Sequence, residues 1–227
     1  NYKGSLLLPL AQKAGCYIVS AEDWLLNQAV AAYEIFLGNK PNKDVMRQGL
    51  SVPSLALQKH TISTIGLMGA GKTSHGKVLA QKLEYVFKDT DEAIVAKQGI
   101  PITQIFEIHG ESYFRNLEAQ ELATSFNSQH PHVLSCGGGI IVNDENRKLL
   151  KNNSIVIWLY ASPEAIIKRT DISKRPLLQV ENPLQKLHEI LQARKGMYAK
   201  TAHIIVSTER KLKGHTTNKI IKELQAL

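Results

Sequence analysis

The residues Gly66-Leu67-Met68-Gly69-Ala70-Gly71-Lys72-Thr73 spell G-x-x-x-x-G-K-[ST] between a strand-like apolar run and a helical pattern. Each residue type has a chemical task. Glycines let backbone N–H groups approach phosphate oxygens with no Cβ in the way. The helix that follows adds the positive end of its dipole. The Lys72 ammonium can reach β- and γ-phosphates, and the Thr73 hydroxyl is a hard oxygen donor for Mg²⁺. A chance glycine-rich turn would not need strand, loop and helix in register. A nucleoside triphosphate and Mg²⁺ are the implied ligands.

Four later features address the acceptor of the phosphate. Asp89-Thr90-Asp91 closes a strand-like segment. Strand C-terminal ends form the ligand crevice of an open parallel sheet. One carboxylate can help hold Mg²⁺ through water, and the other can hydrogen-bond an acceptor hydroxyl and take its proton. The competing use of the same residues is an N-cap. Arg115 and Glu118 share a helix face, so the carboxylate can fix the guanidinium for a substrate carboxylate; a plain surface pair is the alternative. Cys136-Gly137-Gly138-Gly139 follows a strand, which suits either close approach by a ligand or a tight turn. The polar, basic stretch Thr170 to Leu178 reads as a mobile lid that brings Arg175 onto the phosphates, or as a solvated loop.

Positioning these residues takes alternating strands and helices, and the hydropathy pattern supplies them. Strands are expected over 61–67, 85–88, 133–135, 154–160 and 203–207. Helices are expected over 73–83, 90–97, 102–126 with a break near Gly110, 145–151, 163–169, 183–202 and 217–227. The alternation predicts an α/β fold: a parallel sheet with helices on both faces. Ahead of it, Ser5 to Ala14 reads as a helix stopped by Gly15, Cys16 to Val19 as a short strand, and Trp24 to Leu37 as a helix ended by Gly38. Asp44 to Leu50 reads as one more short helix. The stretch with Pro53 and its serines reads as a linker. The expected organisation is therefore 1–50, a linker over 51–59, and 60–227.

The chain of 227 residues carries 43% apolar and 21% charged residues, which excludes disordered, collagenous and disulfide-scaffold classes. Its apolar runs are much shorter than the roughly 20 residues a membrane helix needs. Two cysteines in different segments suit a reducing, cytoplasmic compartment. The charge of +8 is concentrated after residue 56, where 23 basic face 16 acidic side chains. With 6% aromatics and no basic run interleaved with them, small anions, phosphates above all, are favoured over nucleic acid, and no membrane partner is expected. The eight histidines are scattered and lack metal-ligand spacing. Cys136 reads as a buried core thiol.

Residues 61 to about 212 resemble shikimate kinase along their whole length. The matching motifs are GLMGAGKT, the DTD pair, FRNLE, the GGG turn, RT followed by RPLL, and Arg194 with Tyr198 in LQARKGMY. The resemblance implies a P-loop kinase fold, like that of nucleoside-monophosphate kinases, with ATP as co-substrate, Mg²⁺ as cofactor and shikimate as acceptor. Gly69, Ala70, Gly71, Lys72, Thr73 and Ser74 match the ATP phosphate loop, with Thr73 on Mg²⁺ and Asp89 nearby. Asp91, Arg115, Gly138 with its neighbours Gly137 and Gly139, and Arg194 match the shikimate-holding positions. Arg175 matches the lid arginine on ATP, and Arg169 the arginine flanking the adenine. Lys211 falls where the family often has Arg or Gln near the adenine. In this reading Lys72, Asp91 and Arg175 carry the catalysis.

Residues 1 to 50 resemble the C-terminal end of shikimate dehydrogenase, through Leu7-Leu8, Ala14-Gly15, Trp24 to Ala29, Tyr33-Glu34 and Val45-Met46-Arg47. Gln28 matches a shikimate-contacting glutamine of that family. The resemblance implies covalent fusion to an upstream dehydrogenase domain. Two rivals stand beside a shikimate kinase: a P-loop kinase of another small polyol acid, and a non-catalytic nucleotide-binding module attached to a dehydrogenase.

Overall fold

The computed structural model describes residues 13–15, 19, 21–50, 61–172, 175–209 and 213–225. Residues 5–12 of the first expected helix, 16–18 of the first expected strand, the 51–59 linker and Lys211 lie outside the described residues. The chain divides into two compact units, Asn1–Ser54 and Leu55–Leu227.

The described residues of the first unit include two helices, α1 (Ala21–Leu37) and α2 (Lys43–Leu50). The Asn42 carboxamide oxygen accepts from the Asp44 and Val45 amides at 2.9 and 3.2 Å, an N-cap that sets the start of α2. Arg47 pairs with Asp23 across the two helices at 2.8 Å. Leu26 is buried, and Gln28 is exposed. Helix α1 begins at Ala21, ahead of the Trp24 expected, because the Glu22-Asp23 pair gives apolar periodicity nothing to mark.

The second unit alternates β1 (Thr61–Ile65), α3 (Lys72–Leu83), β2 (Val86–Asp89), α4 (Thr90–Gln98), α5 (Ile102–Phe126), β3 (His132–Ser135), α6 (Asp144–Asn153), β4 (Ile155–Tyr160), α7 (Pro163–Ile167), α8 (Pro183–Thr201), β5 (Ile204–Ser207) and α9 (Lys213–Gln225). Short 3₁₀ turns cover Ile140–Val142 and Pro176–Leu178. The strands form one parallel sheet in the order β2-β3-β1-β4-β5. The expected α/β class is therefore the observed one. Strand order reverses about β1, so the crevice opens where β1 and β3 end.

Ile62, Leu79, Val133, Ile157, Leu159 and Ile220 fill one side of the sheet. Pleating sends Trp158 to the other side, where its ring stacks on Tyr198 at 5.4 Å. Helix α5 breaks at Gly110, as its sequence suggested, with φ 80° and ψ 173°. Strand β1 stops at Ile65, short of the expected Leu67. The Leu67 carbonyl instead accepts from the Ala70 amide at 3.1 Å and belongs to the loop. Helix α9 starts at Lys213, earlier than Thr217, because Lys213-Gly-His carries no apolar residue to mark it.

Candidate active site

The phosphate loop is built by backbone chemistry. Gly69 and Gly71 hold φ of 75° and 92°, a region L side chains rarely adopt. The loop feeds α3, whose first residue, Lys72, curls back over it. Its ammonium donates to the Gly66 and Leu67 carbonyls at 3.0 and 3.1 Å. Burial pushes the Lys72 ammonium below its usual range, while the Asp91 and Asp89 carboxylates oppose the shift. Carbonyls are weak counter-ions for this lysine, and a phosphate would replace them with full charge.

At the second position of α3, the Thr73 hydroxyl donates to Asp89 Oδ2 at 2.9 Å. Asp89 also caps α4: its Oδ1 accepts from the Asp91 and Glu92 amides at 3.0 and 3.4 Å. Both uses of the acidic pair thus coexist, divided between its members. The cap holds Asp89 rigidly and leaves Asp91 free of that duty. Asp91 Oδ1 is buried and finds no hydrogen-bond partner among the described residues. Burial pushes the Asp91 carboxyl up, and Asp89 adds to the shift, while Lys72, Arg175 and Arg115 pull against it. A buried oxygen of this kind is poised to accept from a ligand hydroxyl.

The glycine turn after β3 is packed against the same carboxylates. A Cβ on Gly137 would lie 2.5 Å from Glu118 Oε1 and 2.7 Å from Asp91 Oδ1. A Cβ on Gly139 would strike the Arg115 guanidinium at 2.2 Å. At these glycines the missing Cβ makes room for the Asp91, Glu118 and Arg115 side chains. Arg115 itself pairs with Glu118, which is buried, and with exposed Glu111 at 2.8 Å. The Gly138 carbonyl accepts from Arg194 Nη1 at 3.1 Å and from the Tyr198 hydroxyl at 2.8 Å. Burial pushes the Tyr198 phenol far up, so it stays a donor.

A cavity of about 1150 Å³ opens between these elements, lined by Gly69, Gly71, Lys72, Thr73, Ser74, Asp89, Asp91, Gly138, Arg169 and Arg175 among others. The structure therefore brings both sides of the expected site to one space. Ala70, within the loop, is fully buried. Gly137, Gly139, Arg115 and Arg194 stand behind the lining, through the contacts given above. Arg175 is exposed, yet close enough for its charge to act on both Lys72 and Asp91. Lys211 is outside the described residues. Cys136 is buried and unbridged, and burial raises its thiol far above reactivity.

Sequence reasoning did not pick out Thr208, Glu209 or Ser162 at the far end of the cavity. Glu209 Oε1 accepts from the Ser162 amide at 2.9 Å, tying the end of β5 to the start of α7. The available signal was positional, since all three follow the C-terminal ends of strands. An oxygen-only pair such as Thr73 and Asp89 fits Mg²⁺, which is held by few protein ligands together with substrate phosphates.

Comparison with known proteins places these features in context. The family model described as shikimate kinase matches residues 68–225. A shikimate kinase of Dechloromonas aromatica is 40% identical, over 74% of this chain and 92% of its own. One of Neisseria gonorrhoeae is 46% identical, over 63% of this chain and 85% of its own. Among solved structures, the shikimate kinase from Acinetobacter baumannii in complex with shikimate superposes with a TM-score of 0.72 at 39% identity, covering 77% of this chain and 98% of that one. The shikimate kinase of Aquifex aeolicus gives 0.64 at 31% identity, covering 73% and 96%.

Proposed function

The chain belongs to the shikimate kinase family, and on that premise we propose that it transfers the γ-phosphoryl group of ATP to the 3-hydroxyl of shikimate, a step of aromatic amino acid biosynthesis. The observation that supports this reading is the Asp91 carboxylate, one oxygen of it buried without a partner among the described residues, lining the same cavity as Lys72 and the phosphate loop. A nucleotide sensor needs no such acceptor.

The residue roles follow from charge and reach. Thr73 and Asp89 would hold Mg²⁺, which neutralises phosphate charge when bound. Asp91 orients the attacking hydroxyl and accepts its proton. Its raised affinity for protons suits a base. Lys72 and Arg175 offset negative charge on the transferring phosphoryl group. Arg115, held by Glu118, and Arg194 offer guanidinium groups to the shikimate carboxylate, with the Gly137–Gly139 turn against the ring. Arg169 flanks the nucleotide; Lys211 is linked to the adenine side by its place in the family motif alone. The direct test is ADP release with MgATP and shikimate, set against a panel of other polyol acids. Faster turnover of another acid would replace shikimate as the substrate. Absence of turnover with tight nucleotide binding would favour the non-catalytic module.

We further propose that residues 1–50 correspond to the C-terminal end of a shikimate dehydrogenase fused to the kinase unit, in a cytoplasmic protein. The Trp24 to Ala29 and Val45 to Arg47 motifs support it, and both fall on the α1–α2 pair. No helix among the described residues is long and apolar enough to cross a membrane. Sequencing the transcript upstream of Asn1 tests the fusion. A reading frame there without a nucleotide-binding loop and the catalytic Lys and Asp of a dehydrogenase would refute it.

A further inference from the structure

Thr208 follows the last strand, behind the phosphate loop, and is 2% exposed. Its amide donates to the Tyr160 carbonyl at 2.8 Å, which extends the pairing of β4 with β5. Its hydroxyl lies 2.9 Å from the Ala70 carbonyl and 3.2 Å from the Tyr160 carbonyl. A hydroxyl has one proton to give. The Ala70 carbonyl is the nearer acceptor, so the proton is assigned to it. The hydroxyl lone pairs receive Arg169 Nη2 at 3.1 Å. The same guanidinium donates through Nη1 to the Thr208 carbonyl at 3.0 Å and through Nε to the Gly69 carbonyl at 2.8 Å. Two successive carbonyls of the phosphate loop are thus held from behind by one threonine–arginine pair.

A trans peptide sets each carbonyl antiparallel to the N–H of the next residue. Holding the Ala70 carbonyl therefore fixes the direction of the Gly71 N–H. Gly71, at φ 92°, has no side chain to restrain that peptide. Turned the other way, the peptide would present a carbonyl dipole to the polyphosphate instead of an amide proton.

We propose that Thr208 is a positioning residue for the nucleotide: with Arg169 it orients the 70–71 peptide so that the Gly71 N–H serves the phosphates. This rests on the MgATP reading above. It adds a second duty to Arg169, three of whose five N–H donors go to the loop and to Thr208.

Thr208→Val keeps shape and burial and removes the hydroxyl, whereas Thr208→Ser keeps the hydroxyl. The Val variant should weaken ATP and ADP binding by about tenfold or more, the usual scale for stranding a buried carbonyl, and lower kcat. Shikimate binding to the nucleotide-free protein should stay at the wild-type value. The Ser variant should restore nucleotide affinity and turnover. Thr208→Ala carries the same comparison if Val is not tolerated in folding. Nucleotide affinity within about twofold of wild type in the hydroxyl-free variant would overturn the proposal. Equal losses for both ligands, or a loss that Ser does not repair, would overturn it as well. Wild type assayed in parallel separates the two levels: an inactive wild type refutes the kinase reading, and an active one leaves Thr208 alone in question.

Discussion

A Cβ placed on Gly137 would lie 2.7 Å from Asp91 Oδ1, so the backbone of the glycine turn and the Asp91 carboxylate are closely packed. The same Cβ would meet Glu118 Oε1 at 2.5 Å. Neither carboxylate is a freely swinging side chain, because Glu118 is buried against Arg115 and Asp91 is half-buried. Gly137→Ala should therefore displace the acceptor site and spare the nucleotide site. Turnover should fall by about a hundredfold, as misplacement of order 1 Å does, with ADP affinity unchanged by calorimetry. Normal turnover in that variant would show that the turn has room to yield.

Asp91 binds its proton more tightly in the folded chain than in the unfolded one, first because it is buried and second because Asp89 is near. The native state thus holds more protons between the ordinary carboxylate range and the raised value, and stability falls as pH rises through that window. Asp91→Asn removes the ionisation. The ligand-free variant should melt higher than wild type at neutral pH, while phosphoryl transfer is lost. The difference should vanish in acid, where wild type is also neutral. Melting curves across pH decide it; a gain that is the same at every pH would not come from Asp91 ionising.

Lys72→Met should abolish phosphoryl transfer with the fold retained. Its ammonium donates to the Gly66 and Leu67 carbonyls, and burial already works against its charge. Circular dichroism and ADP release are the readouts. Near-normal turnover would remove Lys72 from the chemistry.

Removal of the Arg115 or Arg194 guanidinium should cost about 1.5–3 kcal/mol, or about ten- to a hundredfold, in shikimate affinity. ATP affinity should hardly change. Arg194 also holds the Gly138 carbonyl, together with Tyr198. Arg194→Lys, which keeps charge without the planar fork, should recover only part of the loss. Equal weakening of both ligands would contradict this division of the site.

Arg175 is exposed and bears on Lys72 and Asp91 through its charge. A contact made chiefly at the transition state lowers the barrier without improving ground-state binding. Arg175→Ala should cut kcat by about 10³ or more, as other phosphate-clamping arginines do. Shikimate binding without nucleotide should stay as in wild type. Strong loss of that binding with kcat intact would make Arg175 an acceptor-site residue.

The phosphate loop was legible in the sequence because its chemistry is local: strand, glycines, lysine and hydroxyl are contiguous, and backbone geometry alone shapes them. The α/β class was legible for the same reason, since alternating periodicities are properties of single segments. Helix starts at Ala21 and Lys213 were missed where polar residues in the first turn leave apolar periodicity little to mark. The site on the acceptor side depended on distance in space. Residue types alone left the Asp89-Thr90-Asp91 carboxylates interchangeable, and the family resemblance assigned Asp89 to the Mg²⁺ side and Asp91 to the substrate side. The folded chain gives a physical basis for a division, committing Asp89 to the α4 cap and to Thr73 and leaving an Asp91 oxygen buried without a partner among the described residues. Likewise the spacing of Arg115 and Glu118 is helical and local, but their approach to Gly137 and Gly139 joins α5 to the end of β3. Thr208 carries no motif at all. Its hydroxyl matters because the parallel register of β4 and β5 sets it beside Ala70, 138 residues earlier in the chain. Backbone-built sites are written in short range; sites built by side chains from several strands exist only once the sheet has fixed which ends meet.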